Sequence, residues 1–460
     1  MSGRGFSFQD IENFLKIDYA ELMCSIFLYN FKVTKNLLDD ANQLLKLRGP
    51  DQTHILENSP FTFVHNLLAI TGRKTLQPFV EGNIVALYNG EIYNYRDFDS
   101  RFTSDGECLI PLYKKWGTEF VDHLDGEFVL CLFDFDRGIF FIASDPFRTK
   151  PLFYAIENDR LAISSYASPL KVLGLNSIKS IPCNSIITFD LKSLKQKERR
   201  TIFPFSLEQT VPSYDRFFEA LEKSVDKRSY DPMVITMSSG YDCGTIAAAM
   251  HRLNKPYHVI TFNNNGRENP GILSERQKKC PGKFHSIYWT SSEKNRYLKQ
   301  VREQGKHDIS PKILADPTAA VFASAFMMEA AKNQGYKVHL SGSGSDEIIS
   351  DYWGGLLSGN FGGVFPEDLS TIFPRDPLDT KCKWQNFYEG AQSRNLFREE
   401  FIGGLYGIEN RYPFLDKKLV QEFLSLRPSL KNKHYKAPLR EYLTLCKYPF
   451  DKDKKIGLSS

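Results

Sequence analysis

The hydrophobic and polar positions divide the chain into two parts with different repeats. From residue 24 to about residue 200, short apolar or alternating runs predominate, and this pattern is typical of β-strands. The apolar runs at 128–133 and 139–143 flank Asp136-Arg137-Gly138, a sequence that favours a hairpin turn. Helical patterns interrupt the strands at 35–47 and 107–116. The first part is therefore predicted to be a layered α/β domain with antiparallel sheets.

The second part of the chain has strands that alternate with helices. It follows a charged stretch over 191–200, which we interpret as a linker without strands. The predicted elements are strands at 234–237, 258–262 and 338–340 and helices at 245–253 and 319–333. This alternation predicts a parallel sheet that binds a nucleotide at the carboxyl ends of its strands. A Gly-, Pro- and Phe-rich segment over 355–379 is predicted to be a long loop over that site.

Two of the predicted strands lead into loops of small residues that contain an acid. Small residues let backbone N–H groups approach a phosphate, and the N-terminus of a following helix favours its negative charge. The residues predicted to bind ATP are Ser238, Ser239, Gly240, Asp242 and Cys243 in the first loop, and Ser341, Gly342 and Gly344 in the second. Asp242 and Asp346 can share a magnesium ion with the phosphates. The pattern predicts an enzyme that splits ATP between its α and β phosphates.

Composition and charge argue against several other classes of function. With 42% hydrophobic and 25% charged residues, the 460-residue chain is ordinary for a globular protein of two or three domains. Its net charge of +4 predicts no nucleic-acid partner. The eight cysteines include no CxxC pair, which fits reduced thiols in the cytoplasm. No apolar run has the length of a membrane span, and charges interrupt the first residues, so neither a membrane nor a signal peptide is expected.

Several motifs resemble the glutamine-dependent asparagine synthetase family, in the family's order. They are Met23-Cys24-Ser25-Ile26-Phe27, Arg48-Gly49-Pro50-Asp51, Asn89-Gly90-Glu91-Ile92-Tyr93-Asn94-Tyr95, the second loop, and the segments 406–416 and 436–441. The resemblance implies an αββα sandwich of the N-terminal-nucleophile type, followed by a doubly wound parallel-sheet ATP-pyrophosphatase domain. It implies an extension at 1–23, a class II glutamine amidotransferase-like domain at 24–205 and an ATP-pyrophosphatase domain at 206–460.

The same resemblance implies two coupled reactions. In the family, an N-terminal cysteine attacks the side-chain amide of glutamine, and its own α-amine serves as the base. The released ammonia then displaces AMP from a carboxylate that ATP has adenylated. The residues that match these roles are Cys24 as the nucleophile, Asn89, Gly90, Glu91 and Asp105 for glutamine, Lys436 for charge on the phosphates, and Asp242 and Asp346 for Mg²⁺.

Three departures from the family pattern bear on this expectation. Residues 1–23 precede Cys24, so its α-amine is free only if they are removed or if translation starts at Met23. Otherwise, Cys24 is expected to be an ordinary buried cysteine. Leu67 stands where the family has an arginine for the glutamine carboxylate, and Arg73 is a weak substitute. Ser343 replaces a glutamate that lies close to the incoming amine in the family.

These departures leave three functions open. The first is an asparagine synthetase that uses ATP, Mg²⁺, a carboxylate and either glutamine or ammonia. The second is a repurposed ligase that amidates another carboxylate or closes an internal amide, as β-lactam synthetases do, with an inactive glutaminase half. The third is a pseudoenzyme that only binds a nucleotide. The oligomeric state also stays open, with a homodimer as one candidate.

Some conspicuous residues are predicted to be structural. His65 and His339 lie on predicted strands and are expected to be hydrogen-bonded there. Glu409, Arg411 and Asp416 are expected to brace a helix against the ATP loop. An aromatic group is expected to pack beneath the long loop, and it consists of Phe361, Phe365, Phe373 and Trp384. A short amphipathic helix is predicted over 7–17.

Overall fold

Two antiparallel sheets build the N-terminal part of the protein. The computed structural model describes residues 22–69, 75–262, 268–316, 320–350, 364–379 and 381–451. The first twelve described strands are β1 (Leu22–Tyr29), β2 (Gln52–Asn58), β3 (Phe61–Ala69), β4 (Phe79–Glu81), β5 (Ile84–Ile92), β6 (Gly126–Asp134), β7 (Ile139–Ser144), β8 (Phe153–Glu157), β9 (Arg160–Ser164), β10 (Lys179–Ser180), β11 (Ser185–Asp190) and β12 (Gln196–Thr201). Their orders are β10-β8-β9-β1-β3-β2 and β12-β11-β7-β6-β5-β4.

The sheets stack face to face, with helices on both outer faces. These helices are α1 (Lys35–Lys46), α2 (Tyr95–Phe98), α3 (Leu109–Trp116), α4 (Phe120–His123) and α5 (Ala167–Val172). Successive strand residues point to opposite faces. Accordingly, Ile26 on β1 packs against Val85 on β5 between the sheets, whereas Phe27 faces the cluster that includes Leu45 on α1. On the other outer face, Ala86 joins Leu109 on α3. The four layers confirm the predicted αββα sandwich.

The predicted linker is wrong, because its second half is a strand. β12 pairs in antiparallel register with β11, and Ile187 lies opposite Arg199. Its residues are charged because β12 is the outer strand of its sheet, and charged side chains protect an exposed edge from pairing with other chains. A charged run at an edge strand therefore has the same sequence signature as a linker.

A parallel sheet forms the centre of the C-terminal part, as predicted. Its described strands are β13 (Met233–Thr236), β14 (His258–Phe262), β15 (Phe284–Ile287), β16 (Val338–Leu340) and β17 (Glu409–Arg411), in the order β15-β14-β13-β16-β17. The helices are α6 (Asp215–Arg228), α7 (Tyr241–Arg252), α8 (Pro270–Lys279), α9 (Ser291–Gly305), α10 (Pro311–Ala315), α11 (Ala320–Asn333), α12 (Ala391–Tyr406), α13 (Lys417–Ser425), α14 (Pro428–Lys431) and α15 (Ala437–Leu445).

Helices cover both faces of the parallel sheet, which makes it doubly wound. Ile235 on β13 packs in the cluster of Phe217 and Ile246, from α6 and α7. Its neighbour Val234 faces the opposite cluster, which includes Phe322 on α11. β13 and β16 are adjacent and parallel, with Val234 opposite His339. The loops that follow these two strands therefore meet at one edge of the sheet.

The segment before α12 packs as the sequence predicts. Phe365 and Phe373 contact the buried Trp384, with ring centroids 5.3 and 6.4 Å apart. The described part of the predicted long loop, 364–379, also contains a 3₁₀ turn at Leu369–Thr371. The remainder of that loop over 355–363, Phe361, Arg73 and the predicted helix over 7–17 lie outside the described residues. Among the described helices, none is long and apolar enough to cross a membrane.

Buried ion pairs join the two parts of the protein. Arg228 on α6 binds Glu127 on β6 with an Nε–Oε1 distance of 2.6 Å. Lys150 reaches Glu400 on α12 at 3.0 Å. Arg411 lies between Glu409, at 2.6 Å, and Glu91 of the sandwich, at 3.4 Å. The structural role predicted for Glu409 and Arg411 is confirmed, but they brace the sandwich rather than a helix at the ATP loop.

The two strand histidines differ in their surroundings. His339 is hydrogen-bonded as predicted, with Nδ1 2.8 Å from Asn410 Oδ1 and Nε2 2.9 Å from Thr236 Oγ1. The prediction for His65 is wrong, because neither ring nitrogen has a hydrogen-bond partner among the described residues. Burial, with a smaller effect of His54, lowers the pKa of His65 to about 3. Its imidazole is therefore neutral at physiological pH.

Replacing His65 with leucine is expected to stabilise the protein at pH 7 and to flatten its acid sensitivity. The substitution removes two buried polar atoms without partners, which is worth about 1–3 kcal/mol. Because the folded-state pKa is lowered, the unfolded chain binds the proton first, and stability is lost as pH falls from about 6.5 towards 3. Between pH 7 and pH 5, the free energy of unfolding in urea should fall by about 2 kcal/mol less for His65→Leu than for the wild type. If the free energy of unfolding changed equally in the variant and the wild type between these pH values, the neutral state of the buried imidazole would be contradicted.

Candidate active site

Two carboxylates and one lysine converge where the two predicted phosphate loops meet. Lys436 Nζ lies 2.5 Å from Asp242 Oδ1 and 2.8 Å from Asp346 Oδ1. The Ser345 hydroxyl donates to Asp242 Oδ1 at 2.6 Å and lies 2.9 Å from Lys436 Nζ. Asp242 is in the first turn of α7, and Lys436 immediately precedes α15 with a φ of 46°. Three segments that are distant in sequence thus form one polar site.

The electrostatics of this site suit a bound cation and phosphates. Burial lowers the pKa of Lys436, but attraction from Asp242 and Asp346 outweighs it and holds this pKa well above its usual range. The Lys436 side chain is 1% exposed, whereas both aspartates are 29% exposed. The ammonium therefore lies at the floor of the site, and the carboxylates open towards solvent. One or two carboxylates plus phosphate oxygens are a usual ligand set for Mg²⁺, so the residues present fit this ion.

The first loop is held in shape by bonds among its own small residues. Ser238 N–H donates to Cys243 Sγ at 3.2 Å, and Gly240 N–H donates to Ser238 Oγ at 3.1 Å. The N–H of Ser239 instead donates to the Glu268 carboxylate, which the Ser239 hydroxyl also contacts at 2.6 Å. An anionic group thus already binds the backbone of this loop. The Ser239 N–H is therefore placed to donate to a negatively charged oxygen, which is the contact that the phosphate prediction requires.

A buried arginine supports the first loop from below. Arg276 on α8 is fully buried and donates to the carbonyls of Ser238 and Gly240, the latter at 2.9 Å. Gly244 makes room for it, because a Cβ at this position would lie 2.3 Å from Arg276 Nη2. The sequence shows glycine at 244 but does not indicate its partner 32 positions later. Arg276 is a support of the candidate site that the sequence reasoning missed.

The second loop lies directly against Asp242. A Cβ at Gly342 would come within 2.9 Å of the Asp242 Cβ, so glycine allows this close approach. Gly344 has a φ of 92°, which favours glycine. The hydroxyls of Ser341 and Ser343 both donate to the carboxylate of Glu399 on α12, with a distance of 2.7 Å for Ser341. Glu399 is the second residue that sequence reasoning missed.

Cys24 lies inside a strand, away from solvent. Its side chain is 1% exposed, and burial raises the pKa of its thiol far above the usual range. Its nitrogen is a peptide amide in β1 that donates to Asn89 Oδ1 at 3.2 Å. Its carbonyl accepts from Arg48 Nε at 2.9 Å, and Leu67 lies opposite it on β3. In this arrangement Cys24 has neither a free amine nor a thiolate.

The other residues predicted to bind glutamine lie in the same sandwich as Cys24, and most of them have internal contacts. Asp105 accepts from the Tyr88 hydroxyl and from the backbone N–H of Ile92 at 2.9 Å. Glu91 forms the 3.4 Å ion pair with Arg411. Gly90 has a φ of 137°, and a Cβ there would meet the Glu127 carbonyl at 1.9 Å. Most of these contacts are therefore those of a folded core, whereas the buried Asn89 Nδ2 has no hydrogen-bond partner among the described residues.

Comparison with known proteins identifies both parts of the chain. A family described as glutamine amidotransferase domain matches residues 23–204, and one described as asparagine synthase matches residues 216–357. Asparagine synthetase B [glutamine-hydrolyzing] of Escherichia coli is 24% identical over 89% of this chain and 76% of its own length. Asparagine synthetase [glutamine-hydrolyzing] 1 of Saccharomyces cerevisiae is 25% identical over 89% of this chain and 77% of its own length.

A plant relative and one solved structure complete the comparison. Asparagine synthetase [glutamine-hydrolyzing] of Zea mays is 26% identical over 85% of this chain and 67% of its own length. A solved glutamine phosphoribosylpyrophosphate amidotransferase from B. subtilis covers 95% of this chain with a TM-score of 0.34 and 12% identity. That structural likeness is too low to support a conclusion.

Proposed function

Because the chain belongs to the glutamine-dependent asparagine synthetase family, as a divergent member, we propose that it is an ATP-dependent ligase that forms an amide. In this proposal ATP adenylates a carboxylate, pyrophosphate leaves, and ammonia or another amine displaces AMP. The observation that carries the proposal is the convergence of Lys436, Asp242 and Asp346 between the two loops. A fixed ammonium beside developing phosphate charge lowers the barrier to pyrophosphate release.

The same residues support a role for Mg²⁺ in the proposed reaction. Asp242 and Asp346 would hold the ion, and the ion would neutralise charge on the pyrophosphate group when bound. Lys436 keeps the two carboxylates oriented towards one point. The Ser239 N–H, which now binds the Glu268 carboxylate, would bind a phosphate oxygen.

The surroundings of Cys24 favour free ammonia or another amine over glutamine as the nitrogen source. A nucleophilic cysteine needs a thiolate and a nearby base. Cys24 is buried, its pKa is raised, and its nitrogen is an amide within β1. The proposed substrates are therefore a small carboxylate and ammonia or another amine. The proposed location of the protein is the cytoplasm.

A pyrophosphate assay tests the proposed function directly. The purified protein is incubated with ATP, Mg²⁺ and ammonium and with aspartate first, followed by a panel of other amino-acid carboxylates. We expect carboxylate-dependent release of pyrophosphate and formation of an amide that mass spectrometry identifies. Asparagine as the product would identify aspartate as the acceptor. ATP binding without pyrophosphate release for any carboxylate would instead indicate a nucleotide-binding pseudoenzyme.

Cys24→Ala is expected to leave ammonium-driven amide formation unchanged. The thiol belongs to β1 of the sandwich and makes no contact with the cluster of Lys436, Asp242 and Asp346. With glutamine as the only nitrogen source, both the wild type and the variant should be at the assay background. Glutamine-driven activity that Cys24→Ala abolishes would show that the cysteine is a working nucleophile.

A further inference from the structure

A carboxylate from α12 lies at the second phosphate loop, where the sequence of that loop provides only serines. Glu399 Oε2 accepts from the Ser341 hydroxyl at 2.7 Å, and Oε1 accepts from the Ser343 hydroxyl. Both hydroxyls belong to the loop that carries Asp346 at its end. A glutamate from another element thus places its charge at the position that Ser343 leaves without an acid.

Glu399 lines a small cavity of mixed polar and apolar character at the carboxyl ends of β13 and β16. The cavity has a volume of about 50 Å³, and its polar lining includes Thr236, His339, Ser341 and Asn410. A site needs roughly 10–15 Å³ of such volume for one water molecule, so this cavity has room for ammonia or a primary amine. Burial lowers the pKa of His339 to about 4, and both of its nitrogens are hydrogen-bonded. This leaves Glu399 as the group of the cavity that can accept a proton.

Glu399 differs from its neighbour in the way its charge is balanced. Glu400 is fully buried between Arg48 and Lys150, which fits a purely structural role. Among the residues that the structure describes, no lysine or arginine comes within ion-pairing distance of Glu399. Burial raises the pKa of Glu399, although the two serines and the nearby Arg398 oppose this effect. A carboxylate without an ion-pair partner in a cavity is suited to proton transfer.

We propose that Glu399 accepts the proton from the amine that attacks the activated carboxylate. The inference rests on the proposed function. The lone pair of the amine nitrogen forms the bond to the carbonyl carbon, and the bond from that carbon to the AMP oxygen breaks. AMP leaves with the electron pair of that bond, and the surplus proton on nitrogen moves to Glu399. The products are the amide, AMP and a protonated Glu399, which later releases its proton to solvent.

The two serines let Glu399 change its protonation state without losing hydrogen bonds. A serine hydroxyl is both a donor and an acceptor and rotates to suit its partner. While Glu399 is ionised, Ser341 and Ser343 donate to it. When Glu399 is protonated, its O–H can donate to one hydroxyl oxygen while the other serine continues to donate. A cationic partner would instead hold the carboxylate in its ionised form.

Glu399→Gln separates this role from a structural one, because it retains the shape and most hydrogen bonds of the side chain. Two half-reactions are measured with ATP, Mg²⁺, aspartate or the carboxylate identified above, and ammonium. Exchange of labelled pyrophosphate into ATP reports adenylation, and mass spectrometry of the amide reports the amine step. We expect exchange within about twofold of wild type and amide formation lowered by about 10²–10⁴-fold, the usual contribution of a general base.

Two further variants control for folding and for general effects of removing a carboxylate. Glu329→Gln removes a hydrogen-bonded glutamate on α11 that binds Arg296 on the outer surface, and it should leave both half-reactions unchanged. The double variant Ser343→Glu with Glu399→Ser, called the exchanged pair, keeps the contact between residues 343 and 399 but places the carboxylate on the loop. We expect the exchanged pair to form amide at least tenfold faster than Glu399→Gln.

The outcomes separate this inference from the proposed function. No pyrophosphate exchange by the wild type with any carboxylate would overturn the proposed function, and the role of Glu399 with it. Normal exchange and normal amide formation in Glu399→Gln would overturn the role of Glu399 alone. Equal losses in both half-reactions would make Glu399 a structural support of the loop. If Glu399→Gln does not fold, the double variant Ser343→Glu with Glu399→Ser decides the question. Pyrophosphate exchange without amide formation in this double variant would overturn the proposal.

Discussion

Lys436→Met is expected to lower the rate of pyrophosphate release by about 10²–10³-fold, the usual cost of removing one donor that stabilises transition-state charge. Methionine keeps the length and apolar character of the stem but removes the ammonium that contacts Asp242 and Asp346. The two carboxylates then repel each other and the incoming phosphates. Because the lysine is buried at the floor of the site, solvent cannot replace its charge.

The measurement is the initial rate of pyrophosphate release at saturating ATP and Mg²⁺ with the best carboxylate. Lys433→Met is the matched control, since Lys433 is on the same segment, is half-exposed and pairs with Glu441 at 2.8 Å. It should stay within about twofold of wild type, because exposed ion pairs contribute little. Equal effects of the two substitutions would show that the cluster at Lys436 is not the reacting site.

Arg228→Met is expected to lower the free energy of unfolding by about 3–5 kcal/mol. The substitution leaves two buried carboxylates without their guanidinium, because Arg228 binds Glu127 of the sandwich at 2.6 Å and Asp416 at 2.8 Å. Glu127 also accepts the backbone N–H of Tyr412 at 2.9 Å, so the loss affects the junction of the two parts. The variant should also be cut more readily by proteases between the sandwich and the parallel sheet.

Urea unfolding, followed by circular dichroism, measures this effect. Arg252→Met is the control, because Arg252 pairs with Glu222 at a similar distance of 2.7 Å but is 45% exposed. Its loss should cost less than about 1 kcal/mol. A similar small cost for Arg228→Met would mean that the buried network does not stabilise the contact between the two parts.

Local sequence signals predict much of the candidate ATP site. A strand that runs into small residues and an acid has a short-range signature, so both loops and their aspartates can be located from the amino-acid sequence alone. Lys436 could be assigned only through the family resemblance, because a lysine before a helix has no signature of its own. The fold brings it to Asp242 across 194 positions of sequence.

The residues that sequence reasoning missed contact the site from elements that are distant in the sequence. Glu399 contacts Ser341 and Ser343 across 58 and 56 positions, and Arg276 reaches Ser238 across 38. Neither lies in a motif, and helix periodicity gives no sign of a partner in another element. The wrong predictions have a similar origin. Charge on β12 reflects its place at a sheet edge, and the missing partners of His65 depend on tertiary packing.

The adjacent glutamates of α12 connect the two halves of the protein through one helix. Glu399 contacts the loop beside Asp346, and Glu400 binds Arg48, which in turn holds the carbonyl of Cys24. Because the two residues are consecutive, a ligand that shifted the helix at Glu399 would also move Glu400. Thermodynamic linkage makes such an effect reciprocal. Occupancy of the candidate ATP site would then be coupled to the conformation around Cys24, whether or not the cysteine reacts.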